Sequence, residues 1–350
     1  MNISYKISNT SFAGLNAWLQ NKHFSSVFVL SDSNTANWCY PVFQANFVSE
    51  TAFQQIIVSA GEEYKNLETT EKIWRKLLEA DADRNSLIVN LGGGVVSDLG
   101  AFAASVFKRG IPYINLPTTY LSMVDAAFGG KTGVNFDHFK NQIGSFYFPD
   151  FVFVYLPFLK TLDQRQFLAG WGEVVKYALI SDFSLWESLG HVNFNENEEA
   201  SPKIIKKCIS IKESIVQADA FELNLRKKLN FGHTCGHAIE SLILERSHKA
   251  IPHGLAVAAG CLIESTISCK MKLLPIKMLE EIRNLLLQKF GKISLQMQDV
   301  DLLTENMKKD KKNLNQNINF TLIDRIGHAV INQIVPEKII KESLLEYMSI

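Results

Sequence analysis

Charge of one sign, paired cysteines and long apolar runs are what this chain of 350 residues lacks. Its 36 lysines and arginines match 36 aspartates and glutamates, so no net field draws it to nucleic acid or to an anionic membrane surface. The five cysteines (Cys39, Cys208, Cys235, Cys261, Cys269) are an odd set without a C-x-x-C pair. That is unlike a disulfide framework or a structural zinc module and fits a reducing cytosol. No apolar run reaches the roughly 18 residues that span a bilayer. The N-terminal "MNISYKISNTSFAG" also lacks the basic and apolar regions of a secretory signal. These absences lead to the expectation of an unprocessed cytoplasmic protein with a small-molecule partner, binding neither nucleic acid nor membrane.

What is present is apolar bulk, 47% hydrophobic against 21% charged residues, in a chain long enough for about two domains. Over residues 1–155, short β-branched or apolar runs alternate with helical stretches. The runs are "SVFVLSD" (26–32), "QQIIVSAG" (54–61), "SLIVNLGGG" (86–94) and "PYINLPTT" (112–119), with a helix over 67–80. Alternation of this kind predicts a parallel sheet wound by helices, with ligands outside the carboxyl ends of the strands. From 156 to 350 the 3.6-residue period dominates, as in "QFLAGWGEVVKYALI" and "GLAVAAGCLIESTISCKMKLL". Only "NFTLIDRIGHAVIN" fits a small hairpin, and the polar, acidic "HVNFNENEEASP" (191–202) reads as a solvated loop. The expected fold class is α/β plus all-α: a Rossmann-like domain (1–155), a helical domain (156–350) and a cleft between them.

Gly92, Gly93 and Gly94 stand between a strand and a helix, where backbone N–H groups can approach a pyrophosphate. This is not the full G-x-G-x-x-G, since Ser97 occupies the third glycine position, and such a turn equally serves packing. "DAAFGGKT" ends like a phosphate-binding loop but has Asp125 at its first glycine position, which speaks against an NTPase.

His233 and His237 in "LNFGHTCGHAIE" project from one helical face, one turn apart. The spacing suits two ligands of one ion and suits two structural histidines as well. Two features favour a metal: His253 opens another helix in "IPHGLAVAAG", and Glu173 sits among small and apolar residues in "GWGEVVKYALI". A carboxylate in such surroundings is costly unless it is paired or ligating, and one Glu with two His is a common catalytic zinc set. "HTCGH" lacks the glutamate of H-E-x-x-H, so a hydrolase is the weaker interpretation. A metal facing a nucleotide cleft suits polarising a hydroxyl for hydride transfer.

Seven segments, "GGGVVSDLGAFAASVFKRGI", "LPTTYLSMVDAAFGGKTGVN", "KNQIGSFYFP", "GEVVKYALI", "LRKKLNFGHTCGHAIE", "HGLAVAAG" and "MKKDKK", resemble the 3-dehydroquinate synthase family in order and spacing. The resemblance runs from about Asp32 to Ile326 and implies a fold shared with metal-dependent glycerol dehydrogenases. It implies an NAD site of Asp32, Asn34, Glu62, Lys65, Gly93, Gly94, Val95, Asp98, Thr118, Thr119, Lys140, Phe158 and Thr161. The implied zinc or cobalt ligands are Glu173, His233 and His253, which leaves His237 for the substrate. The implied substrate residues are Arg109, Asp125, Lys131, Asn141, Lys176, Lys212, Arg226, Asn230 and Lys311. Lys131, Asn141 and Arg226 count also as catalytic, beside Glu222 and His237 in acid/base roles.

The implied reaction takes 3-deoxy-arabino-heptulosonate 7-phosphate, a carboxylate and phosphate ester that suits a cationic site, to 3-dehydroquinate and phosphate, the second step of the shikimate pathway. Transient oxidation at C5 by NAD, with the metal as Lewis acid, acidifies the neighbouring C–H and lets phosphate leave. Re-reduction, ring opening and aldol closure follow without net redox. The family is commonly a homodimer, with the Arg109 region near the neighbouring active site. Three departures stand out: Leu255 for the usual glutamate of "HGE", Ser97 before Asp98, and Phe139-Lys140-Asn141 for "GKN". Two alternatives are a cyclase of sedoheptulose 7-phosphate, which has no carboxylate, and a glycerol-dehydrogenase-like alcohol dehydrogenase, whose neutral polyol would leave the cations unpaired.

Overall fold

The computed structural model describes residues 3–20, 22–137, 139–195, 201–247, 250–308 and 318–350. The chain forms two compact units, Met1–Asp163 with Ala200–Glu213, and Gln164–Glu199 with Ser214–Ile350. The boundary suggested by the sequence, 155/156, falls inside the first unit. That unit also claims most of the helix Pro202–Ala218, whose Lys212 donates to Asp125 Oδ1 and Asp125 O, both at 2.8 Å.

In the first unit, six parallel strands lie in the order β1-β8-β5-β4-β2-β3. The runs predicted as strands are β2 (Val27–Asp32), β3 (Phe53–Val58), β4 (Leu87–Gly92) and β5 (Tyr113–Pro117). The sheet is completed by β1 (Tyr5–Ser8) and β8 (Phe151–Tyr155). An antiparallel hairpin of β6 (Lys131–Phe136) and β7 (Phe139–Phe146) was not expected from the sequence.

Every residue of β4 and β5 is buried, as expected of parallel strands covered on both faces. Two asparagines interrupt these apolar runs and face each other across the ladder. Asn90 Nδ2 donates to Asn115 Oδ1 at 3.0 Å, and Asn115 Nδ2 donates to the Ala127 carbonyl at 2.9 Å. The helix Gly94–Val106 lies so close to β4 that a Cβ on Gly100 would meet Asn90 Oδ1 at 1.9 Å.

Among its described residues the second unit is helical, with one antiparallel hairpin of β9 (Asn319–Arg325) and β10 (His328–Ile334). This is the hairpin predicted at "NFTLIDRIGHAVIN", turning at Gly327 with φ +88°. The helix His253–Lys270 is buried along nearly its whole length, which explains why its sequence is apolar on every face. Glycines let two other helices reach its backbone. A Cβ on Gly172, in Gln164–Ser181, would sit 2.0 Å from the Gly254 carbonyl. A Cβ on Gly260 would sit 1.9 Å from the carbonyl of Gly232, which precedes the helix His233–Ser247. No helix among the described residues is long and apolar enough to cross a membrane, and none of their cysteines is paired with another.

Candidate functional site

Those glycine contacts decide where the ionisable groups of the second unit meet. Glu173 follows Gly172 and His253 precedes Gly254 in sequence, so the backbone contact brings the carboxylate and the imidazole together. Glu173 is 1% exposed, and its Oε1 lies 3.5 Å from His233 Nε2 and 3.6 Å from His253 Nε2. Both separations are near the roughly 3.3 Å edge of a tetrahedron of donors about 2.0–2.1 Å from zinc. The other ring nitrogens are engaged elsewhere: His233 Nδ1 with the Phe231 carbonyl at 3.1 Å, His253 Nδ1 with Glu240 Oε2 at 3.2 Å. That arrangement suits Nδ1–H tautomers with Nε2 turned toward Glu173, as at histidine-bound metals.

His237 belongs to the same cluster, since ligand atoms of His233, His237 and His253 all lie within 4.8 Å of one another. Geometry therefore offers two triads that share His233 and His253, completed by Glu173 or by His237. Burial alone would lower the His253 pKa, but Glu240 and Glu173 outweigh it and push the imidazolium up to about 10. The pocket favours positive charge, and a divalent cation would compete with protons for it. Carboxylate and imidazole donors of this kind fit such an ion.

Around the cluster, the buried Lys176 forms an ion pair with Glu173 one turn away. Glu222, in the left-handed region at φ +60°, accepts from Asn230 Nδ2 at 3.0 Å. Arg226 is buried, donates to the Ala220 carbonyl at 2.6 Å and is held through its backbone N–H by Asp219 at 3.0 Å. Leu255 lines a mixed cavity of about 400 Å³ with Ile243, Ile251, Leu262, Arg165 and Lys292. Glu240 is the carboxylate that supports His253.

In the first unit, Lys65 Nζ donates to Asp98 Oδ2 at 2.5 Å and to Asn141 Oδ1 at 2.6 Å. Asn135 extends the network, donating through Nδ2 to Glu62 Oε1 and accepting the Asn141 N–H, both at 2.9 Å. Glu62, Lys65, Asp98 and Asn141, four residues implied by the family resemblance, thus share one network. The departure at Phe139-Lys140 leaves Asn141 within it. Burial raises the Asp98 pKa while the Lys65 cation opposes that. Gly93 caps the helix Gly94–Val106 without a side-chain bond, beside Thr119, whose Cγ2 a Cβ on Gly93 would meet at 2.8 Å. Thr118 N–H donates to the Gly92 carbonyl at 3.0 Å.

Asp32 ends β2 and caps the next turn, taking the N–H groups of Asn34 and Thr35 at 2.9 and 2.8 Å. Phe158 is buried, and Thr161 Oγ1 donates to its carbonyl at 2.8 Å. Asp125 lies in the π-helical turn Ser122–Ala126, paired with Lys212. Val95 and Lys140 are half-buried, whereas Asn34, Lys131 and Arg109 are exposed, Arg109 with φ +69°. Lys311 lies outside the described residues.

Sequence reasoning missed three residues of these networks. Asn135 carries no signal of its own. Glu240 and Glu264 do: each is a carboxylate in an apolar helix, the same cue that marked Glu173. Glu264, 0% exposed, accepts the N–H of Gly232 at 2.6 Å and of Cys235 at 2.9 Å.

The 3-dehydroquinate synthase N-terminal family matches residues 55–169, and the 3-dehydroquinate synthase C-terminal family matches 170–313. A 3-dehydroquinate synthase from Parabacteroides distasonis is 40% identical over 334 residues, covering 94% of this chain and 93% of that protein. Among solved structures, a 2-deoxy-scyllo-inosose synthase complexed with carbaglucose-6-phosphate, NAD+ and Co2+ is 27% identical. It has a TM-score of 0.86 over 98% of this chain and 96% of its own. The 2-epi-5-epi-valiolone synthase ValA from Streptomyces hygroscopicus, with NAD+ and Zn2+ bound, is 25% identical at TM-score 0.86, covering 100% and 98%. Glycerol dehydrogenase from Schizosaccharomyces pombe, 14% identical at TM-score 0.67 over 99% of this chain and 89% of its own, shares the fold alone. Two adjoining family matches and a relative aligned almost end to end agree with the sequence motifs, and the chain belongs to the 3-dehydroquinate synthase family.

Proposed function

We propose that the chain converts 3-deoxy-arabino-heptulosonate 7-phosphate to 3-dehydroquinate and phosphate, as a phosphorus–oxygen lyase of the shikimate pathway. The observation that carries this reading is the buried Glu173 carboxylate facing the Nε2 atoms of His233 and His253, in a chain whose full-length relative bears that name. When bound, NAD and a divalent zinc or cobalt ion supply reversible oxidation of a hydroxyl and Lewis-acid polarisation of it. Glu173, His233 and His253 hold the metal. Asp32, Asn34, Glu62, Lys65, Gly93, Gly94, Val95, Asp98, Thr118, Thr119, Lys140, Phe158 and Thr161 hold NAD, its pyrophosphate against the uncapped helix start at Gly94.

Arg109, Lys131, Lys176, Lys212, Arg226 and Lys311 meet the carboxylate and phosphate of the substrate, with Asp125, Asn141 and Asn230 orienting its hydroxyls. His237, left out of the metal set, exchanges protons with the substrate, and Glu222, fixed by Asn230, is the second acid/base group. The residues of the NAD site form the first unit's role; metal and most acid/base residues belong to the second. Cytoplasmic location and a homodimer, in which Arg109 serves the neighbouring protomer's site, complete the reading.

Purified protein loaded with metal and catalytic NAD, given each sugar phosphate in turn, tests it. Phosphate release from the heptulosonate without steady NADH is the expected result. Release from sedoheptulose 7-phosphate instead would assign another sugar-phosphate cyclase, and stoichiometric NADH would assign a net alcohol dehydrogenase.

A further inference from the structure

We infer that Glu264 is a positioning residue for the metal centre, fixing the His233 imidazole by gripping the backbone on both sides of it. The inference rests on the reading that His233 and His253 hold the metal. Glu264 stands on the His253 helix, eleven residues past the ligand, and its two carboxylate oxygens take separate N–H groups from the segment that carries His233. Oε2 takes that of Gly232, immediately before the ligand, and Oε1 that of Cys235, two residues after it.

The grip reaches the imidazole itself. The Gly232 N–H and the Phe231 carbonyl belong to one rigid peptide plane, and that carbonyl bonds His233 Nδ1 at 3.1 Å. Holding the N–H therefore holds the acceptor that orients the ring. Gly232 has φ +78°, and its carbonyl, in the next peptide along, is pressed against Gly260; Gly232 is thus held on both sides, by a charge-assisted bond to one peptide and by packing on the other. A wholly buried carboxylate is an expensive way to fill space, and an apolar residue would pack there without setting direction. Two-point acceptance also occupies orphan N–H groups at the start of the His233 helix, so the negative charge stands at its positive end.

The test strips the protein of metal and measures zinc affinity by competition with a chromophoric chelator, and the visible spectrum of the cobalt form. The variants are Glu264→Gln, Glu264→Ala and His233→Ala, with Asp299→Asn as control. Asp299 is a buried carboxylate of the same unit that grips Arg246 and the Gln296 N–H. Zinc binding about 10- to 100-fold weaker in Glu264→Ala is expected, by analogy with lost outer-shell partners of metal-bound histidines. Glu264→Gln, which keeps the shape but loses one acceptor, should fall between it and wild type, with a shifted cobalt spectrum in both. Asp299→Asn should lower the unfolding temperature and leave both metal readouts unchanged. If the Glu264 variants bind zinc within about twofold of wild type and keep its cobalt spectrum, Glu264 only stabilises the fold and the inference fails. Should the alanine variant not fold, the isosteric glutamine variant decides. Wild-type zinc affinity in His233→Ala would instead sink the metal reading beneath it.

Discussion

At the scale of single residues, His237 and Glu173 stand in the same cluster and should fail differently. Glu173 is buried against two imidazole Nε2 atoms, so Glu173→Ala removes a charge that those groups and Lys176 were arranged around. It should lose bound metal and activity together, by metal analysis and phosphate release. His237→Ala should keep near-stoichiometric metal and lose about 10²- to 10⁴-fold in kcat, the usual worth of a positioned acid or base. Equal loss of metal and turnover in His237→Ala would favour the all-histidine triad, which geometry also permits. The sequence exposes these groups because a carboxylate among apolar residues is a costly choice, and two histidines one turn apart gain meaning beside it. Asn135 was not legible, because its role is to link Glu62 to Asn141 across a hairpin, and an asparagine in a strand looks the same with or without such partners. Leu255, where the family has a glutamate, lines a cavity of both apolar and polar residues.

Elements carry the next set of consequences, because three helices meet at glycines to bring the ligands together. A Cβ on Gly254 would lie 1.7 Å from the Ala169 carbonyl, a backbone atom with no rotamer to yield. Gly254→Ala should destabilise the protein by about 1–3 kcal/mol, or more if the helices cannot separate. It should also lower metal occupancy with no ligand altered; a denaturant midpoint and a metal assay check both. Elsewhere, Glu346 joins three helices through Lys270 at 3.0 Å and Arg283 at 2.5 Å. Burial opposes ionisation there, but the hydrogen bonds from Lys270 and Arg283 prevail and hold its pKa below 4.5. A lowered folded-state pKa gives stability that is complete above the unfolded value and lost as pH falls through the folded one. The difference in unfolding temperature between wild type and Glu346→Gln should therefore be full at neutral pH and shrink under acid, below about pH 4.5. Long helices were legible from their period and β2 to β5 from short β-branched or apolar runs, whereas β8 was not among the runs predicted. The short edge strand β1 and the β6–β7 hairpin were not legible either: "YKIS" is too short to show alternation, and the hairpin begins inside "DAAFGGKT", which ends like a phosphate-binding loop.

For the molecule as a whole, two kinds of domain were legible from the change of period near residue 156, but not the return of Ala200–Glu213 to the first unit. There Lys212 reaches Asp125, 87 positions earlier, a contact no local pattern announces. The proposed homodimer has its own consequence at this scale. Arg109 is exposed at φ +69°, on the turn Phe107–Arg109 that ends the glycine-rich helix, a strained conformation for a non-glycine residue. A protruding arginine is useful to a phosphorylated substrate if it completes the site of a second copy. Arg109→Ala and His237→Ala should each be nearly inactive alone. Mixed and allowed to exchange subunits, they should regain activity, because in a two-fold dimer one of the two sites receives Arg109 from one chain and His237 from the other. Random exchange makes half the dimers mixed with one intact site in each, so activity should return to about a quarter of wild type. No recovery, with exchange demonstrated by native mass measurement, would put Arg109 in its own chain's site or outside any site. Recovery would show that this lyase is complete only as a pair.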